Sequence, residues 1–117
     1  MIFKEIFLND NYPIIVKTYQ LTLWYIKKIE KLPKNHKFTL GERIQNILLD
    51  LLLFYTQAIY SKNKKELLNK ANLSIESLRI LTKLLSDLNI LNDDNKRYIL
   101  SNLNEIGAMS GGWTKSL

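Results

Sequence analysis

From Pro13 onward, apolar residues return every three or four positions, and the returns fall into four blocks. In the first block Ile15, Tyr19, Thr22, Ile26 and Ile29 alternate spacings of four and three, which predicts an amphipathic helix over 13–31. Pro13 suits its first turn, where a missing N–H goes unused, and Lys27, Lys28 and Lys31 suit its C-terminal end. The second block, 39–60, carries Ile44, Ile47, Leu48, Leu51, Tyr55 and Ala58 on one face. Its start, Thr39-Leu40-Gly41-Glu42, reads as a reciprocal capping box, with Phe38 ahead of it to staple onto Arg43 or Ile44. The third block, 63–91, carries Leu67, Ala71, Ile75, Leu78, Leu81, Leu85 and Leu88. Its period runs through Asn72-Leu73-Ser74, so one long helix is expected. The fourth, 94–115, carries Ile99, Leu103, Ile106, Met109 and Trp113, and Asn92 to Asn95 supply its cap.

Residues 1–11 show no sustained period and read as an N-terminal arm, and Pro33 breaks the loop at 32–38. Four helices with short connections predict an all-α, up-down-up-down four-helix bundle occupying 1–117 as one domain. Two features strain a monomeric bundle. The second helix also carries Leu49, Leu52, Leu53 and Phe54, more apolar surface than one stripe buries, which points to a subunit interface at Leu49, Leu52 and Leu53. The single acid amid that apolar run, Asp50, is expected to face a cation across such an interface. The last helix holds Gly107, Gly111 and Gly112, each costing about 1 kcal/mol relative to alanine, which is reasonable where another chain segment approaches closely.

Composition narrows the chemistry. The 117 residues include 4 glycines and 2 prolines, too few for a turn-rich β fold, and no cysteine, which favours a reducing compartment. The N-terminus has Glu5 and no long apolar run, so it does not read as a signal peptide, and the window 44–59 is too short and polar to span a bilayer. A cytoplasmic protein is expected. One histidine, His36, placed in a loop, supports neither a nucleophilic triad nor a metal site. Gly107 to Gly112 lacks the Lys-Ser/Thr ending of a phosphate loop. Neither a cofactor nor an enzymatic activity is expected.

The net charge of +6 favours polyanionic partners. Lys17, Lys27, Lys28 and Lys31 load the first helix, with Lys34 and Lys37 beyond it. Lys62, Lys64, Lys65 and Lys70 load the start of the third, and Arg79 and Lys83 follow four apart. These are candidates for phosphate contact without base readout, set against the plainer reading of a solvated face. No aromatic stacking platform is evident, because the tyrosines and tryptophans fall in helical stripes.

Two local strings go beyond generic bundle patterning: Phe38-Thr39-Leu40-Gly41-Glu42-Arg43 at the opening of the second helix, and Gly111-Gly112-Trp113 near the end. Together, over about 13–116, they resemble the Avd family, the accessory variability determinants of diversity-generating retroelements. That family is related to the four-helix-bundle proteins encoded in 23S ribosomal RNA intervening sequences. The resemblance implies a homopentamer of bundles with a basic surface that binds the retroelement's reverse transcriptase and RNA or DNA, supporting mutagenic reverse transcription and retrohoming. Catalysis then belongs to the transcriptase. Phe38, Thr39, Leu40, Gly41, Arg43, Gly111, Gly112 and Trp113 match the family strings and read as structural or assembly elements. The alternatives are an intervening-sequence-type or orphan bundle associated with RNA, and a purely scaffolding oligomer.

Overall fold

The computed structural model describes residues 12–117; the expected arm over 1–11 lies outside the described residues. Four long helices make up the described structure, with no strand among the described residues: α1 (Pro13–Ile29), α2 (Glu42–Tyr60), α3 (Lys64–Asp87) and α4 (Asp93–Lys115). Helices consecutive in sequence pack against one another, and α4 closes the ring back onto α1. Specific pairs give the directions. Lys17 bonds Glu105 and Trp24 packs on Tyr98, so α1 and α4 run antiparallel. Asn72 meets Ser110 and Arg79 meets Asn104, so α3 and α4 do too. Across the diagonals, Tyr25 bonds Thr82 and Tyr55 stacks on Trp113, pairing the ends of parallel helices.

The core follows helical periodicity, with shifts from the expected stripes on α1, α3 and α4: on α4 Met109 is exposed and Ser110 buried, and on α3 Leu68 takes the central place expected of Leu67. On α2 the buried set is Ile44, Leu48, Leu51, Tyr55 and Ala58. On α1 it is Ile14, Ile15, Thr18, Leu21, Thr22, Tyr25 and Ile29, so Tyr19 turns out to the surface and Tyr25 takes the central place. Thr18 and Thr22 enter the core because each hydroxyl donates to the carbonyl four residues back, at 2.7 Å. On α3, Thr82 is buried and Leu88 exposed. The Tyr25 and Thr82 hydroxyls, 2.9 Å apart, satisfy one another across the bundle.

The helix ends correct several expectations. The first helix stops at Ile29 rather than at residue 31. No capping box forms at Thr39, because the chain is already helical there. A single α-turn, Lys34–His36, starts after Pro33 and continues as a π-helical turn, Lys37–Gly41, which feeds α2. Inside a helix Thr39 has no free N–H to cap, and its hydroxyl donates back to the Asn35 carbonyl at 2.9 Å. Phe38 is 59% exposed and staples nothing. Gly41 closes the wide turn against α1, where an added Cβ would lie 2.8 Å from Ile29 Cγ2. The third helix ends at Asp87 instead of 91. Asn89 takes a left-handed φ of 61°, and the Asn89 and Ile90 N–H groups reach back to Ser86 and Leu85, a Schellman ending. The fourth helix is capped as its sequence indicates, with the Asn92 side chain accepting from the Asn95 N–H at 2.7 Å.

Candidate nucleic-acid interface and assembly faces

The ten basic candidates do not form one surface. Helix α3 rises about 1.5 Å per residue, so Lys64 and Lys83 stand about 28 Å apart along it, on a molecule 41 Å long. Lys17, Lys62, Lys64, Lys65 and Lys70 therefore belong to one end of the bundle. Lys27, Lys28, Lys31 and Lys83 belong to the other, with Arg79 between.

Pairing divides them further. Lys17 is bridged by Glu105, Lys70 by Glu66, Arg79 by Glu76 and Lys83 by Asp87. Lys83 also holds the Asp87 carboxyl below its usual range, mainly by hydrogen bonding to it. The Lys64 ammonium donates to the carbonyls of Ala58, Ile59 and Ser61 at 2.8–3.0 Å, where it caps the C-terminus of α2. These five have partners within the fold, although the exposed pairs of Lys70 and Lys83 hold them only weakly. Lys27, Lys28, Lys31, Lys62 and Lys65 make no ion pair among the described residues. The three at the end of α1 lie within one turn and a half.

An aromatic pair sits beside those three. Trp24, half-buried, and Tyr98, 41% exposed, bring α1 and α4 together with ring centroids 4.5 Å apart and planes inclined 41°. The Lys28 ammonium lies 5.2 Å from the centre of the Trp24 ring. Periodicity alone does not reveal the pair, because it depends on which residues of α1 and α4 come level.

The apolar candidates also gain company. Leu49 and Leu53 are exposed and Leu52 is half-buried; by helical position Leu52 and Leu49 lean toward α1, and Leu53 points straight out from the bundle. Leu49 and Leu52 share that side with the exposed Tyr19 and Leu23 of α1. A second apolar face was not anticipated. On α3, Leu73 (69% exposed), Ile80 (67%), Leu84 and Leu88 form an outward stripe. With Arg43 and Ile47 of α2, Leu73 and Ile80 line an open groove of about 450 Å³. Its sequence signal was the apolar doublets Ile80-Leu81 and Leu84-Leu85, which put one residue on the core stripe and its neighbour outside. Asp50 is exposed and makes no ion pair among the described residues.

The closing string behaves as two parts. Trp113 stacks on Tyr55 at 6.5 Å and is a packing element. Gly111 and Gly112, expected where another segment approaches, have no atom from another segment of the described residues within 4 Å of an added Cβ, and Gly107 meets Arg79. The Tyr55 hydroxyl is buried without a hydrogen bond of ordinary geometry among the described residues. Burial raises its pKa, partly offset by the nearby Ser110 hydroxyl.

Among the described residues no cluster of three or more His, Cys, Asp or Glu could hold a metal ion. Nor is any described helix long and apolar enough to cross a membrane. A recess of about 510 Å³ at the end of the bundle, lined by Ile14, Ile59, Met109 and Trp113, is mainly apolar, since its one charge, Lys64, is bound to carbonyls.

The structure is thus a bundle with cations free of ion pairs among the described residues at both ends, a ring pair beside those of α1, and apolar faces on α2 and α3. No curated protein and no solved structure matches the chain. A family model described as bAvd-like matches residues 14–117, from the first turn of α1 to the last residue. The chain belongs to the bAvd-like family.

Proposed function

We propose that this chain is a non-enzymatic, cytoplasmic accessory subunit of a diversity-generating retroelement, holding a reverse transcriptase and its RNA or DNA together during mutagenic reverse transcription and retrohoming. The observation that carries the proposal is the family match over residues 14–117, since the family is one of non-catalytic accessory proteins. The charge distribution supports the nucleic-acid half of the role. Unneutralised cations at Lys27, Lys28 and Lys31 release counterions on meeting phosphates, whereas Lys17, Lys64, Lys70, Arg79 and Lys83 have partners within the fold.

The two apolar faces support the assembly half. A two-fold dimer uses one self-complementary patch, whereas two different patches suit head-to-tail contact, which closes into a ring when the rotation allows. The faces lie on adjoining sides of the bundle, an arrangement that suits a small closed ring, and the family resemblance supplies the number five. In such a homopentamer α2 turns toward the axis and α4 outward, and the end of α1 stays open to partners.

The test is co-purification of the chain with a reverse transcriptase encoded beside its gene, together with RNA binding measured across a salt series. Capture of the transcriptase and affinity that falls steeply with salt are expected. Salt-insensitive binding, or a transcriptase that passes through uncaptured, contradicts the proposal.

A further inference from the structure

We infer that Trp24, Tyr98 and the adjoining Lys27, Lys28 and Lys31 form a stacking platform for an unpaired base, so that this end of the bundle prefers single-stranded nucleic acid to duplex. The inference rests on the nucleic-acid role proposed above and makes it more specific.

Positions 24, 27, 28 and 31 are spaced i, i+3, i+4, i+7, the spacing that puts four side chains on one face of a helix. An indole and two cations therefore share one strip of α1, and Lys31 follows in the turn just past its end. Helix α4 brings Tyr98 level with the indole, and the Trp24 ring is anchored underneath by an edge contact to the buried Tyr25 at 6.3 Å. Of the two rings, Tyr98 is the more open to solvent.

The charges around it are unbalanced. The nearest acid on α4, Asp94, is bonded to Arg97 at 2.9 Å, and Glu30 projects toward the α2 side of α1. Lys28 lies over the indole with no carboxylate, a position it can leave for a phosphate while its stem still covers the ring. The surface therefore joins an exposed tyrosine ring and a half-buried indole to cations one helical turn apart that make no ion pair among the described residues. Bases inside a duplex stack on each other and offer no face to such a surface; an unpaired base does.

The chain has two tryptophans, so the full-length Trp113→Phe variant leaves Trp24 as its sole indole reporter. Trp24 emission and fluorescence anisotropy are followed while 20-nucleotide single-stranded RNA, the same sequence as single-stranded DNA, and its blunt DNA duplex are titrated separately. Single strands should quench Trp24 and bind more tightly than duplex; quenching by either supports the platform and identifies its strand. Tyr98→Leu keeps apolar cover on Trp24 and removes the ring. It should weaken single-strand binding about 5- to 100-fold and leave duplex binding and the salt slope unchanged. Lys28→Gln should reduce the salt slope by about 0.7. Circular dichroism on each variant keeps misfolding from counting as support. Unquenched Trp24 with equal binding of strand and duplex overturns the platform and leaves the polyanion surface standing, as does a Tyr98→Leu chain that binds single strands at full affinity. No binding of any oligonucleotide by the wild-type chain overturns both.

Discussion

Gly41→Ala probes the join between the π-helical turn and the bundle. Gly41 has φ −60° and ψ −47°, helical values that alanine adopts freely. In an open helix the change would add up to about 1 kcal/mol of stability. Here the new Cβ would lie 2.8 Å from Ile29 Cγ2, 3.4 Å from the His36 carbonyl oxygen and 3.5 Å from Leu32 Cδ1. The first contact is well inside van der Waals range. The methyl it strikes is fixed on the branched Cβ of Ile29, itself 3% exposed, so relief requires a shift between α1 and α2. Overpacking of this kind costs about 1–3 kcal/mol, which outweighs the propensity gain and leaves a net loss of about 1 kcal/mol. For a chain of this size that lowers Tm by about 4 °C. Gly112→Ala is the internal control, since no atom from another segment of the described residues lies within 4 Å of its Cβ, and it should raise stability by up to about 1 kcal/mol. Urea unfolding of both variants at one protein concentration measures the difference, about 2 kcal/mol. Adding Ile29→Ala to Gly41→Ala removes the struck methyl, so the two losses should be less than additive by about 1 kcal/mol. If Gly41→Ala stabilises the chain as much as Gly112→Ala does, the packing argument is refuted.

Other predictions concern the core, the caps and the assembly faces. Thr82→Val leaves the Tyr25 hydroxyl buried and unpaired and should cost about 1–3 kcal/mol, with Tyr25→Phe/Thr82→Val costing less than the sum of the single changes in denaturant melts. Burial pushes the Tyr25 pKa up to about 12 from 10, so the unfolded chain loses that proton first. Stability is therefore intact below pH 10 and declines as pH rises from 10 to 12, a slope that Tyr25→Phe should flatten in urea melts across that range. Asn89→Gly relieves the left-handed residue after α3 and should raise Tm slightly, by about 0.5–1 kcal/mol of stability. Leu53→Glu on one face or Ile80→Glu on the other should each shift sedimentation toward the 13.7 kDa monomer; a mixture of the two variants, each retaining one intact face, should recover heterodimers. Association unaffected by either change contradicts a head-to-tail ring.

Helix number and core-facing side were legible in the spacing of apolar residues, as on α2, where Ile44, Leu48, Leu51, Tyr55 and Ala58 all fell on the expected stripe. The shifts had local causes. Thr18 and Thr22 entered the core by bonding their own helix, and Thr39 lost its capping role because the chain was helical one turn earlier. The excess apolar surface of α2 was visible in Leu49, Leu52 and Leu53, while its counterpart on α3 was obscured by doublets such as Ile80-Leu81, which read as a single thick stripe. The candidate interface was half legible. Counting lysines located the charge, yet which of them were committed to Glu66, Glu76, Asp87, Glu105 or the α2 carbonyls depends on the fold. The Trp24–Tyr98 pair joins residues far apart in the chain and needs the register of α1 against α4, which no one-helix pattern contains.

The most direct test of the central claim is native mass spectrometry of the chain co-expressed with a reverse transcriptase encoded beside its gene. The account predicts five copies of the 13.7 kDa chain in one complex with the transcriptase, dissociating from added RNA as salt rises. A monomeric chain that elutes apart from the transcriptase at every salt concentration would contradict it.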